Sequence, residues 1–173
     1  VYDAYLSDSR WNEAAIVTLS LAKKFKKPGI LDAEAPVSEQ AVDLASHVAF
    51  SKQGLSHFTN KDDVTASLKV IENDFNSWAC VTDGSNGVYF LEEGTLCNLP
   101  APDIKAKDTL GAGDVWHGAF AVCLAEGKSE SEAIKFSNLA AAIKCSKFGG
   151  HSSIPTRTEI NEFIAVASYN QFT

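Results

Sequence analysis

The run Lys107-Asp108-Thr109-Leu110-Gly111-Ala112-Gly113-Asp114-Val115 decides how the rest of the chain reads. An extended lead-in over 104–107 runs into two glycines two apart. Helical periodicity then starts at once, with Val115, Ala119, Val122 and Cys123 sharing one face. A glycine-rich turn that opens a helix makes an anion site, because the first backbone N–H groups lack intrahelical partners and the helix dipole adds partial positive charge there. Gly111 and Gly113 allow a left-handed backbone and let a ligand approach the bare chain. Asp114 does not belong in a plain anion site, since a carboxylate repels a phosphate. It reads as a residue placed for chemistry; the blander alternative is an acidic cap on the helix N-terminus.

Upstream of this run, a strand is expected over 1–6, followed by a helix over 11–27. That helix has Ala15, Leu19 and Ala22 on one face and a C-terminal cluster of lysines, where the dipole favours cations. Pro28-Gly29 stops it. Short apolar strands over 29–33, 47–51 and 78–82 alternate with helical segments over 38–45, 53–58 and 62–75. The continuous run Val48-Ala49-Phe50 suits a parallel sheet covered on both faces. Thr82-Asp83-Gly84-Ser85-Asn86-Gly87 is a turn, and strands over 88–91 and 95–99 around Glu92-Glu93-Gly94 form a hairpin. Downstream, three helices close the chain. The first runs over 113–125 to Gly127. The second starts at a capping box of Ser129 and Glu132, and the third at a box of Thr156 and Glu159, burying Ile160, Phe163 and Ile164. The expectation is one α/β domain over 1–173, Rossmann-type, with a mostly parallel sheet, flanking helices and a small hairpin.

Composition narrows the function. A net charge of −7 over 173 residues argues against nucleic acid or an anionic membrane as partner, so the anion site must work through local dipoles. Cys80, Cys97, Cys123 and Cys145 form no CxxC pair and read as reduced thiols of a cytoplasmic protein.

The signature D-T-x-G-A-G-D resembles that of the ribokinase-like (PfkB) family of carbohydrate kinases, and the likeness extends over about 1–163. It covers the C-terminal part of such a kinase, whose members are about twice as long. The N-terminal sugar-binding and lid part is then absent. With no methionine and a start at Val1, a cut or processed chain is expected. The resemblance implies an ATP-dependent, Mg2+-assisted transfer of the γ-phosphate to a primary hydroxyl of a sugar. Asp114 would be the base, and the amides of Gly111, Ala112 and Gly113 the anion hole.

By the same resemblance, Thr82, Gly84 and Gly87 meet the ribose and phosphates of the nucleotide. Asn138 stands beside the adenine, with the small run Ala140-Ala141-Ala142 leaving room for a flat base, and Gly149 closes that side. Many members bind K+ in a loop that corresponds here to Asp108, Leu110, Lys144, Lys147, Gly149 and Ser153. The family's N-x-x-E metal motif is replaced by Phe50-Ser51-Lys52-Gln53-Gly54-Leu55. That departure is similar to ketohexokinases and, more closely, to the 6-deoxy-6-sulfofructose kinase branch, in which an arginine at the place of Arg10 holds the sulfonate. Such relatives often form homodimers through the lid.

Two residues read as packing: His117, one turn after Asp114, and Trp116. A ketose with an anionic C6 group is the leading substrate, with fructose and ribose as runners-up. A non-catalytic nucleotide-binding fragment is the alternative from another class. A Rossmann dehydrogenase is disfavoured, because no G-x-G-x-x-G follows the first strand.

Overall fold

Strand residues with consecutive numbers pack on opposite sides of one sheet, the period-2 signature of strands covered on both faces. Leu31, Val48, Phe50 and Val81 join one core cluster, while Ile30, Ala49 and Cys80 join another. A computed structural model describes residues 1–170, and side chains over 1–165. The strands are β1 (Tyr5–Asp8), β2 (Gly29–Ala33), β3 (His47–Ser51), β4 (Trp78–Thr82), β5 (Val88–Glu92) and β6 (Thr95–Leu99), hydrogen-bonded in that order. Pairs β1 to β4 are parallel; β5 and β6 add an antiparallel hairpin.

Helices α1 (Asn12–Phe25), α2 (Glu39–Leu44), α3 (Lys52–Thr59) and α4 (Val64–Asp74) connect the parallel strands and cover one face. Helices α5 (Ala112–Ala125) and α6 (Glu130–Cys145) cover the other, and α7 (Arg157–Asn170) packs on them through Ile160. Both expected capping boxes form. Ser129 and Glu132 satisfy each other's backbone N–H groups, as do Thr156 and Glu159.

Four details differ from the sequence reading. β1 starts at Tyr5, not at residue 1, because parallel pairing with β2 begins where Tyr5 N–H meets the Pro28 carbonyl. Residues 104–107 form no strand; the N–H groups of Lys107 and Asp108 both bond to the Cys145 carbonyl at the end of α6. Val122 is exposed, since the buried face of α5 runs through Trp116, His117, Phe120 and Cys123. On α7, Ile160 is buried but Phe163 and Ile164 remain partly exposed.

Candidate active site

Gly111 caps α5 with φ 74°, a left-handed conformation open to glycine and strained for other residues. Among the described residues, the N–H groups of Gly111, Gly113 and Asp114 have no hydrogen-bond partner. The Ala112 N–H is spent on the Thr109 carbonyl at 3.1 Å. Three amides at this turn, of Gly111, Gly113 and Asp114, are thus open to a ligand, while that of Ala112 is engaged within the turn. The Asp114 side chain is exposed and bonds to nothing among the described residues, so it does not serve as a hydrogen-bonding cap.

Beneath Asp114, α5 faces the carboxyl end of β2. His117 is buried and its Nδ1 lies 2.8 Å from the Gly113 carbonyl. A carbonyl only accepts, so Nδ1 carries the proton. Nε2 then faces Asp32 Oδ1 at 3.4 Å and is buried without a hydrogen-bond partner. Burial holds the Asp32 carboxyl above its usual range; His117 opposes this, and Glu34, Asp114 and Asp8 reinforce it. His117 is thus a packed residue, as expected, but its contact with Asp32 was not legible, because β2 and α5 lie far apart in sequence.

Arg10 follows β1 and donates to Glu34 Oε2 at 2.9 Å. Both side chains are exposed, 73% and 50%, and Asp8 accepts from the Arg10 backbone N–H at 2.9 Å. Its charge is thus paired at the surface, in a neighbourhood that also holds Asp8, Asp32 and Glu34.

Beside the signature lies a cavity of about 480 Å³. Thr82, Gly84, Gly87, Asn138, Ala112 and Gly113 all line it, with Ala141 and Ala142 forming a small-residue wall. The structure thus brings together four of the five residues expected to meet a nucleotide. Gly149 does not line the cavity; it sits in the loop after α6, where its carbonyl accepts from Ser152 N–H and Oγ. Gly87 is held by close backbone approach, since a Cβ there would lie 2.6 Å from Pro100 Cα. Asn138 is 5% exposed and already satisfied. It accepts from Trp116 Nε1 at 2.8 Å and donates to the carbonyls of Leu99 and Pro100 at 3.0 and 3.2 Å. It thus lines the cavity, where the base is expected, while its own amide is bonded to the wall.

The residues expected to bind K+ meet around Asp108, but a lysine is already there. Lys144 Nζ lies 3.0 Å from the Asp108 carbonyl and 3.4 Å from its Oδ2. Leu110 N–H holds Oδ1 at 3.0 Å, and hydrogen bonds from Leu110 and Gly150, with Lys144, keep the Asp108 carboxyl below the usual carboxylate range. Where the N-x-x-E glutamate is missing, Lys52 reaches across to Asp83 Oδ2 at 3.3 Å. No group of three or more metal-ligating side chains occurs among the described residues. No described helix is long and apolar enough to cross a membrane, and all four cysteines are unpaired.

A largely parallel sheet with a glycine turn opening a helix beside this cavity defines an α/β protein of the ribokinase-like type. Residues 1–157 match the family model described as pfkB family carbohydrate kinase, and the chain belongs to that family. It is 28% identical to the ribokinase of Bacillus subtilis (strain 168) over 130 residues, 75% of this chain and 43% of the relative. The fructokinase of Vibrio alginolyticus is 30% identical over 131 residues, 72% of this chain and 43% of the relative. The crystal structure of a ribokinase candidate from Agrobacterium tumefaciens superposes with TM-score 0.89 at 36% identity, covering 98% of this chain and 57% of that one. The chain spans about half the length of these relatives.

Proposed function

We propose that this chain is the nucleotide-binding, base-bearing part of an ATP-dependent sugar kinase. The observation that carries the reading is Asp114. Its carboxylate is exposed and unbonded in the first turn of α5, beside three unpartnered amides. A sugar's primary hydroxyl gives its proton to Asp114 as its oxygen attacks the γ-phosphorus. The bond from phosphorus to the β,γ-bridging oxygen breaks, and ADP leaves with that electron pair. The amides of Gly111, Gly113 and Asp114 receive the charge on the transferred group.

The nucleotide fits the 480 Å³ cavity, with its base against Ala141 and Ala142 and its phosphates toward the signature turn. Mg2+ suits this arrangement without a protein cage, because it keeps waters and binds mainly through phosphates. Thr82 and Gly84 open to the cavity from the end of β4, where ligands of open α/β sheets gather.

For the sugar, the surface pairing of Arg10 with Glu34 weakens the support for 6-deoxy-6-sulfofructose without removing it. A neutral ketose or pentose accords better with the acidic surroundings of Asp8, Asp32 and Glu34, and with relatives that are ribokinases and a fructokinase. Four free thiols accord with a cytoplasmic setting. The resemblance also implies a homodimer, which sedimentation of the full-length protein tests.

The deciding experiment is ATP turnover with Mg2+ on a panel of ribose, fructose and 6-deoxy-6-sulfofructose, comparing wild type with Asp114→Asn. The expected result is a fall in kcat of at least about 10²-fold with nucleotide binding retained. Near-normal turnover in the variant would overturn the assignment. A second reading is a non-catalytic nucleotide-binding module; nucleotide binding with no turnover on any sugar would support it.

A further inference from the structure

Lys144 is a cation with nowhere to go but Asp108. It lies in the last turn of α6 and is 1% exposed, so its ammonium is removed from water along with its stem. A buried charge persists only when paired and hydrogen-bonded. The partners are the Asp108 carbonyl at 3.0 Å and the Asp108 carboxylate at 3.4 Å. Both belong to the first residue of the signature turn.

Three of the other oxygens that would surround a free ion here are engaged, those of Lys144, Gly149 and Ser153. Lys144's own carbonyl accepts from Lys147 N–H at 3.2 Å, and the Gly149 carbonyl accepts from Ser152 N–H at 3.0 Å. Ser153 Oγ donates to the Gly150 carbonyl at 2.7 Å. A potassium ion would have to enter beside a fixed positive charge that already holds both Asp108 oxygens facing it, with three of its other ligands bonded elsewhere. The residues present do not fit it.

We infer that the Lys144 ammonium is the cation of this loop, a built-in monovalent charge that takes the place of a bound ion. It ties Asp108 to the last turn of α6, and so fixes the turn that presents the Gly111, Gly113 and Asp114 amides. Lys144 also borders, with Gly111 and Asp114, a second cavity of about 620 Å³, so the tether reaches the site itself. It acts as a positioning residue. Because the charge is covalently attached, the turn keeps its shape at any potassium concentration.

The test uses the full chain and needs no turnover, so it stands or falls separately from the kinase reading. Thermal melting is compared in KCl, NaCl and choline chloride at equal ionic strength, with thallium(I) titration followed by thallium NMR as a direct probe of ion binding. The wild type is expected to melt at one temperature in all three salts and to show no saturable thallium site. Lys144→Met, which keeps the volume and removes the charge, is expected to melt several degrees lower in choline chloride. Potassium, but not choline, should then restore it, with a saturable thallium site appearing. A potassium-specific rise in Tm or saturable thallium binding in the wild type overturns the inference. A folded Lys144→Met that gains no ion response overturns it as well. If Lys144→Met does not fold, the wild-type titration decides alone.

Discussion

Asn138→Ala tests how the wall of the 480 Å³ cavity is built. The side chain holds three groups at once: the Trp116 indole N–H and the carbonyls of Leu99 and Pro100. Truncation orphans all three. The indole donor is buried, and a buried unsatisfied group costs about 1–3 kcal/mol. The two carbonyls belong to half-buried Leu99 and exposed Pro100, where water reaches them, so each costs about 0.5–1 kcal/mol, the net worth of an ordinary hydrogen bond. The sum, about 2–5 kcal/mol, is a large part of a typical stability of about 5–15 kcal/mol. Urea unfolding followed by far-UV circular dichroism measures it, with an unchanged slope confirming that only stability moved. Asn138→Asp sharpens the test. It keeps an acceptor for the indole but sets a carboxylate against two carbonyl oxygens, so it should be at least as damaging as alanine. A loss below about 1 kcal/mol for alanine, with aspartate tolerated, would refute the reasoning. A fall in nucleotide affinity alone would instead show that Asn138 acts mainly on the bound nucleotide.

Gly87→Ala combines a φ of 85° with backbone crowding from Pro100 and should destabilise by more than about 2 kcal/mol, whereas Gly84→Ala, with φ 54° and open space around it, should cost about 1 kcal/mol; equal losses in thermal melts would contradict this. Glu159 is held down to about 2, first by the Lys147 ammonium and then by Thr156. Its charged form is favoured by the fold, so its contribution is complete above the unfolded value of 4.5 and disappears as pH falls toward 2. Glu159→Gln should flatten that part of the stability–pH profile, and an unchanged acid slope would exclude the linkage. Phe120→Ala, at the centre of the aromatic packing, should cost about 3–5 kcal/mol in urea unfolding, and a loss under about 1 kcal/mol would show the core refilling around it.

The sheet was legible because its signals are local. Val48-Ala49-Phe50 carries burial on both faces in three residues, and Glu92-Glu93-Gly94 marks its hairpin by turn chemistry. The two capping boxes were legible for the same reason, since each closes within four residues. The anion turn was legible in type but not in detail. Which amide is spent depends on Thr109 folding back onto Ala112, and nothing in the run D-T-L-G-A-G-D announces it. Long-range pairings were not visible. Arg10 with Glu34, His117 with Asp32, and Lys144 with Asp108 each join elements set side by side by the tertiary fold. Arg10 and Lys144, assigned to ligands, turned out to have protein partners of opposite charge, and His117, assigned to packing, faces a carboxylate with an Nε2 that bonds to nothing.

The aromatic packing around Phe120 has an optical consequence. Trp116 and Phe120 stack with ring centroids 4.9 Å apart, and Trp78 stacks on Phe120 at 5.9 Å. Rings held this rigidly in a chiral environment give strong near-ultraviolet ellipticity. Trp116 is also part of the cavity wall, through its own lining position and its bond to Asn138. A purine ring entering that cavity comes beside the indole and changes its emission. Trp11 is 70% exposed and emits as a solvated indole that acrylamide or iodide quenches selectively. Once that background is quenched, what remains comes from Trp116 and Trp78. Unlabelled protein therefore carries its own spectroscopic readout of whether the cavity is filled.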